Sequence, residues 1–149
     1  MIEFTIDTEI TRTPAEVFAY VTDPTKLATW QTNTISAVAE DDGPLGLRSR
    51  LHEVHRAPGG KQLASVVEVG EFEPDRVFAL DMVEGALSLN ARMTFEPTAA
   101  GTRFEFSARG QPTGWMRIAQ PILRRTLKRQ FAANCARLKQ VLEATPSGS

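Results

Sequence analysis

The sequence predicts an α+β fold in which a seven-stranded antiparallel sheet packs on one long C-terminal helix. A strand pattern opens the chain and is followed by two short helices. Six further strand-like segments come next, separated by turn residues, and a helical pattern closes the chain. A sheet with one apolar face and a helix with one apolar stripe bury these surfaces most simply against each other.

Length and composition fit one globular domain. We assign residues 1–144 to this domain and residues 145–149 to a flexible tail. Apolar residues make up 42% of the chain and charged residues 23%, as in ordinary globular proteins. The single cysteine, Cys135, excludes an internal disulfide framework. Because no apolar run could span a membrane and no secretory signal is visible, we expect a cytoplasmic protein without stable membrane insertion.

The first strand and helix have clear local signals. Apolar and polar residues alternate over Ile2–Ile10, which predicts a half-buried strand. Thr13 can cap a helix that starts at the following proline, and Glu16 completes a capping box. Asp23 can cap a second short helix over residues 25–30. The first helix is expected to bury Val17, Phe18, Tyr20 and Val21.

Glycine-, proline- and aspartate-rich turns divide the middle of the chain into antiparallel strands. The predicted strands are residues 34–39, 47–56, 62–71, 76–83, 86–96 and 102–110. Alternation is clearest in the last two strands. One face of the sheet there is expected to carry Leu87, Leu89, Ala91, Met93, Phe95, Phe104 and Phe106.

The final helix is predicted over residues 114–144. Pro121 lies inside this range, so the helix either kinks there or begins its regular part near that residue. Its apolar stripe, expected to pack on the sheet, consists of Ile118, Ile122, Leu127, Phe131, Cys135, Leu138 and Leu142.

Charge is unevenly placed along the chain. The overall net charge is −1, yet the segment from Gly114 to Ala144 contains a single acidic residue, Glu143. Its seven basic residues are Arg117, Arg124, Arg125, Lys128, Arg129, Arg137 and Lys139. Such asymmetry can mark a face that binds nucleic acid or an anionic membrane. The alternative, which we favour, is a solvated helix face whose charges are partly complemented by the acidic remainder of the domain. We expect no nucleic-acid partner.

A family resemblance is carried mainly by residues 13–24, TPAEVFAYVTDP, followed by Leu27 and Trp30. This segment resembles the start of the SRPBCC superfamily, and the chain is most similar to the polyketide cyclase/dehydrase group of START-like proteins. Residues 69–76 and 137–139 are similar to later landmarks of that group. The resemblance spans essentially the whole chain and implies a helix-grip fold. It transfers no catalytic motif to numbered positions.

The main functional hypothesis is that a small hydrophobic molecule, lipid- or polyketide-like, binds between the sheet and the last helix. A twisted sheet cannot touch a helix everywhere, and the remaining space is a natural apolar pocket. We expect a monomer or homodimer without a cofactor. The expected cavity residues are Tyr20, Trp30, Leu51, Leu80, Leu89, Met93, Phe104, Phe106, Ile118 and Ile122.

The alternatives are a polyketide cyclase or dehydratase, and a module that docks on membranes or partners through the last helix. Glu53 is the candidate acid–base for the enzyme. It shares the cavity face with His55 if Leu47 and Leu51 point inward. Otherwise the strand passes the cavity rim and Glu53 lies in water, which is the arrangement we favour. No metal is expected, because His52 and His55 point to opposite faces and no ligand spacing is present.

Overall fold

The computed structural model describes residues 1–57, 59–85, 88–112 and 117–144. These residues form a seven-stranded antiparallel sheet with strand order β1-β7-β6-β5-β4-β3-β2. The predicted fold class is confirmed. The strands are β1 (Ile2–Ile10), β2 (Thr34–Ala39), β3 (Arg50–Arg56), β4 (Gln62–Glu73), β5 (Val77–Glu84), β6 (Ser88–Pro97) and β7 (Thr102–Gln111). The helices are α1 (Pro14–Val21), α2 (Leu27–Trp30) and α3 (Gln120–Ala144).

The capping box predicted at the start of α1 is present. The Thr13 hydroxyl accepts a hydrogen bond from the Glu16 backbone N–H at 3.2 Å, and the Glu16 carboxylate accepts from the Thr13 N–H at 3.4 Å. Asp23 caps the next element as predicted, although this begins as a 3-10 turn, Pro24–Lys26, before α2. Tyr20 is only half-buried, whereas the other apolar residues predicted for the inner face of α1 are buried.

The third strand is shorter than predicted. Arg48 adopts a left-handed backbone with φ of 73°, so extended structure cannot run through it, and β3 begins at Arg50. Leu47 therefore lies in a turn and is 60% exposed. On the next strand, a register shift between Val69 and Glu71 lets β4 bend and continue to Glu73.

The regular part of α3 begins next to Pro121. Proline suits the first turn of a helix because its missing N–H has no intrahelical partner there. The second of the two alternatives for the last helix is thus the correct one. The predicted helix start at residues 114–116, the strand start at residues 86–87 and the tail at residues 145–149 lie outside the described residues.

The start of the predicted apolar stripe on the last helix is wrong. Ile118 is 88% exposed and Ile122 is 72% exposed. Leu123 takes the inward position in this part of the helix, and it is partly buried against the core together with the predicted Leu127 and Phe131. These three follow a spacing of four residues and stay on one helix face, whereas the step of five from Ile122 to Leu127 crosses to another face.

An aromatic cluster forms the core between α1 and the sheet. The Phe18 ring packs edge-on against the rings of Phe72, Phe78 and Phe95, with centroid distances of 5.3, 6.3 and 5.2 Å. Phe104 continues this cluster with its centroid 5.4 Å from that of Phe95. This part of the interior is therefore filled by side chains.

Asn134 connects α3 to the segment after α2 through hydrogen bonds. It is buried, and its side-chain carbonyl accepts hydrogen bonds from the Thr32 backbone N–H at 3.1 Å and the Gln130 amide at 3.0 Å. A buried polar side chain satisfied in this way fixes the helix in one position over the sheet.

Candidate functional site

A cavity of about 80 Å³ lies between the inner face of the sheet and the first half of α3. Most of its wall is apolar and is formed by Val67, Leu80, Met82, Leu89, Ala91, Met93, Phe106 and Phe131. The polar residues of the wall are Gln31, Glu53 and His55.

Strand alternation and register position the apolar wall. Leu80 lies opposite Ala91, and Met93 lies opposite Phe106, so these inward side chains from β5, β6 and β7 are direct neighbours. The Phe131 ring, from α3, stacks on the Phe106 ring with a centroid distance of 4.8 Å. This stacked pair covers the cavity on the helix side.

The residues predicted to line the cavity fall into three groups. The cavity wall contains Leu80, Leu89, Met93 and Phe106. Trp30, Leu51 and Phe104 are fully buried in the core instead. The rest lie nearer the surface: the Tyr20 hydroxyl shares a hydrogen bond with the Thr29 hydroxyl at 2.6 Å, and Ile118 and Ile122 are exposed.

Glu53 lies inside the protein, so the expectation that it is in water is wrong. It is 6% exposed and shares its strand face with the fully buried Leu51. Because β3 lies between β2 and β4, its inward side chains are enclosed by both neighbours, with Ala37 and Ser65 directly opposite Glu53. The carboxyl group is thus at the cavity wall.

Glu53 is the end of a chain of polar side chains. The His55 Nε2 atom lies 2.8 Å from Glu53 Oε1, and the His55 Nδ1 atom lies 3.2 Å from the Thr34 hydroxyl oxygen. The Thr34 hydroxyl donates to the Gln31 side-chain carbonyl at 2.9 Å. The chain therefore runs Gln31–Thr34–His55–Glu53 and joins the end of α2 to β2 and β3.

The hydrogen-bond contacts of this chain bring a carboxyl group and an imidazole ring together at the cavity wall. Thr34 gives its only hydroxyl hydrogen to Gln31, so its oxygen accepts from the Nδ1–H of His55. A carboxyl group and an imidazole ring in hydrogen-bond contact are side chains that can give a proton to a ligand or take one from it.

Thr34, Gln31 and Ser65 are the site residues that sequence reasoning missed. The Ser65 hydroxyl is buried and has no hydrogen-bond partner among the described residues. Its position opposite Glu53 follows from strand pairing, which a single sequence does not reveal. The alternation of Ser65 with Val67 and Val69 was the available signal that this side chain points inward.

The other chemistry-bearing residues lie apart from the cavity. His52 is on the outer face, near Glu40, as its strand parity predicted. In the described part of the chain, no three His, Cys, Asp or Glu side chains are grouped closely enough to hold a metal ion. Cys135 is 1% exposed, and burial raises the pKa of its thiol to about 12, so it is a buried thiol rather than a thiolate nucleophile at neutral pH.

A second, open groove of about 690 Å³ lies between α1 and the segment from β2 to Leu45. Its floor includes Phe72, and Asp23, Asp41 and Asp42 lie on its sides. The Asp23 carboxylate already accepts hydrogen bonds from the Thr25 N–H and hydroxyl, at 3.0 and 2.7 Å. The described residues of this groove do not overlap with those of the cavity, and the groove is a surface feature.

An antiparallel sheet that grips a long C-terminal helix, with an apolar cavity between them, defines the helix-grip class of proteins. The chain belongs to the family described as "Polyketide cyclase / dehydrase and lipid transport", whose sequence model matches residues 1–143. Proteins with this fold commonly bind hydrophobic ligands. In the described part of the chain, no helix is long and apolar enough to cross a bilayer.

Solved structures support the same fold. The protein TTHA0849 from Thermus thermophilus is 18% identical and superposes with a TM-score of 0.83, covering 97% of this chain and 99% of that one. The di-domain ARO/CYC protein StfQ from the steffimycin biosynthetic pathway is 14% identical, with a TM-score of 0.80 over 96% of this chain and 51% of its own. Ara h 8.0201 is 10% identical, with a TM-score of 0.73 over 96% and 98% of the two chains. No curated protein sequence matches this chain significantly.

Proposed function

We propose that this protein binds a small hydrophobic molecule carrying one polar group in the cavity between the sheet and α3. The observation that supports this most directly is the contact between the buried Glu53 and the partly buried His55 in a mostly apolar wall. An apolar ligand body would contact the side chains of β5, β6 and β7. Its hydroxyl or carbonyl group would exchange a hydrogen bond with the pair.

The energetic cost of placing Glu53 and His55 at least partly out of water favours a binding role over a purely structural one. Removing two ionisable groups from water costs several kcal/mol, and their attraction often does no more than offset this, so such pairs add little net stability. Apolar side chains of similar volume would stabilise this end of the sheet at least as well. Recognition of a polar ligand group gives the pair a function that these replacements would lack.

The size of the cavity limits which ligands fit without movement. An engineered apolar cavity of about 150 Å³ holds benzene, and typical ligand pockets have about 300–1,000 Å³. The present cavity, about 80 Å³, is smaller than both. A larger ligand would displace the partly buried Met82, Leu89 and Phe131 side chains, of which methionine adapts most easily.

Filling the cavity from its wall is expected to abolish binding. In Ala91→Phe the new ring would take the space beside Leu80 and Met93, whereas Ala64→Phe adds the same ring on an exposed position of β4. Native mass spectrometry of the purified protein, followed by solvent extraction, measures any bound molecule. Thermal-shift screening with fatty acids and aromatic polyketides then tests the same two variants.

We expect a bound molecule in the purified wild type and in Ala64→Phe, or a higher melting temperature of both when the ligand is added. Ala91→Phe should show neither effect. Equal binding by both variants would show that the ligand binds elsewhere in the molecule. A wild type that carries nothing and responds to none of these compounds would overturn the proposal.

An enzyme that cyclises or dehydrates a poly-β-ketone chain is the second candidate function. The contact between the carboxyl group of Glu53 and the imidazole ring of His55 favours it. The carboxylate form could remove a proton from the carbon between two carbonyl groups. That carbon would then form a bond to the carbon of a further carbonyl group in the same chain, and the oxygen of that group would accept the proton. Loss of this hydroxyl with a neighbouring hydrogen would release water and leave a double bond.

The Glu53→Gln variant tests this second candidate. Glutamine keeps the size of the side chain but cannot exchange a proton, so conversion of a synthetic poly-β-ketone thioester is expected to fall at least about 100-fold. Glu73→Gln makes the same change on an exposed residue of β4 and should convert at the wild-type rate. Chromatographic measurement of cyclised product gives both rates. Full turnover by Glu53→Gln would exclude Glu53 as the acid–base. If the wild type forms no product, the hypothesis that the protein is such an enzyme is rejected.

A further inference from the structure

The residues around the start of α3 form an exposed face that combines apolar and basic side chains. Ile118, in the turn before the helix, and Ile122, in its first turn, are 88% and 72% exposed. The basic residues around them are also exposed. We define the helix-start face as Arg117, Ile118, Ile122, Arg125, Lys128 and Arg129.

Helix geometry brings the isoleucines and arginines together. Arg125 and Arg129 follow Ile122 by three and seven residues, so the three side chains share one side of α3. The cavity-facing residue Phe131 lies on the other side of the same half of the helix. The outer surface of the element that covers the cavity thus carries this face.

The four basic residues of the helix-start face have no acidic partners in the described part of the chain. None of Arg117, Arg125, Lys128 and Arg129 forms an ion pair with a described residue. Several acids of the sheet pair with arginines of the sheet instead. Arg50 pairs with Glu68, Arg92 with Glu71, Arg103 with Asp7 and Arg109 with Glu3, at N–O distances of 3.2–3.3 Å.

The interpretation of the charge asymmetry that we favoured from sequence agrees with the structure in part, since the basic side chains of this helix face are exposed to solvent. The acidic remainder of the domain was expected to complement the basic helix in part, but it supplies no ion pair to these four residues in the described part of the chain, and several of its carboxylates pair with arginines of the sheet. The positive charge of the helix-start face is left for a partner outside the molecule.

We propose that the helix-start face docks reversibly on an anionic lipid bilayer. Each basic side chain near such a surface gains about 1 kcal/mol from its negative potential. Exposed isoleucines gain further free energy when they leave water for the boundary between headgroups and acyl chains. A free anion or a nucleic acid would use the charges but offers no comparable apolar layer for Ile118 and Ile122. This docking does not depend on what the cavity holds.

Co-sedimentation with vesicles tests the docking. The full chain is mixed with vesicles of phosphatidylcholine alone or of phosphatidylcholine and phosphatidylserine, at low and high salt. We expect binding only to the mixed vesicles and loss of most binding at high salt. Removing two charges in Arg125→Gln/Arg129→Gln should weaken partitioning about 30-fold. Ile118→Ser/Ile122→Ser should weaken it about 10-fold or more.

Matched variants elsewhere on the surface control for charge and apolarity. Arg56→Gln/Lys61→Gln removes two exposed basic residues without ion pairs to described residues, and Val38→Ser removes an exposed apolar residue. Both should bind like the wild type apart from a small effect of net charge. Equal binding to neutral vesicles, no binding at low salt, or helix-start variants that match these controls would each overturn the proposal. The proposal would also be overturned if the protein dimerised through this face and did not bind the vesicles.

Discussion

Replacing Phe104 by alanine is expected to lower the free energy of unfolding by about 3–5 kcal/mol, which is a large part of the stability of a domain this size. Phe104 is 0% exposed and packs against Phe95 within the aromatic cluster. Its removal leaves a space that the paired strands β6 and β7 cannot close without breaking their register. Urea denaturation followed by circular dichroism measures the loss.

Phe131→Ala is the matched control for the packed core. The same atoms are removed, but Phe131 is only partly buried and already borders empty space. We expect a loss of no more than about 2 kcal/mol. The enlarged cavity should also keep or increase the affinity for a hydrophobic ligand. Equal destabilisation by both substitutions would show that the space at Phe131 is as tightly packed as that at Phe104, against the cavity described above.

Gly101→Ala is expected to destabilise the protein by about 3 kcal/mol or more. Gly101 lies in the β6–β7 turn with φ of 154°, a backbone conformation that side chains rarely adopt. A Cβ atom there would collide with backbone atoms of Ile10 and Arg12. These belong to the corner between β1 and α1, which is held in place by a hydrogen bond from the Thr102 hydroxyl to the Arg12 carbonyl at 2.7 Å. The turn and the corner would have to separate.

Gly46→Ala provides the comparison for this backbone effect. A Cβ atom at Gly46 meets nothing within 4 Å, so the change should leave stability within about 0.5 kcal/mol of the wild type. Thermal melting of the two variants measures the difference directly. A Gly101→Ala variant that melts with the wild type would show that the turn and the corner are not in contact in solution.

Local signals were sufficient for most of the fold. The capping box at Thr13 and the alternation along β6 depend only on neighbouring residues, and both were confirmed. Some predictions of the fold were wrong. The start of β3 depends on the backbone conformation of Arg48, and the exposure of Ile122 depends on which face of the helix this residue occupies. A left-handed arginine has no sequence signature, since few non-glycine residues adopt that region.

The candidate site was less accessible to sequence reasoning. Glu53 was identified as the most plausible acid–base, but its environment depended on where β3 passes the edge of the cavity. Its partners come from other elements: Thr34 lies opposite His55 in the adjacent strand, and Gln31 ends α2. Single sequences do not reveal which residues of two strands face each other, because a shift of one position reverses every side chain.

The sequence by itself determined the order of helices and strands, the apolar face of the sheet and the excess of positive charge on the last helix. These properties follow from periodicity, capping residues and composition, which act within a few residues along the chain. Only the tertiary structure decided that Glu53 is buried, that the cavity is small and that several acids of the sheet pair with its arginines. Burial and ion pairing depend on contacts between residues far apart in the chain, and these contacts form only when the sheet closes over the helix.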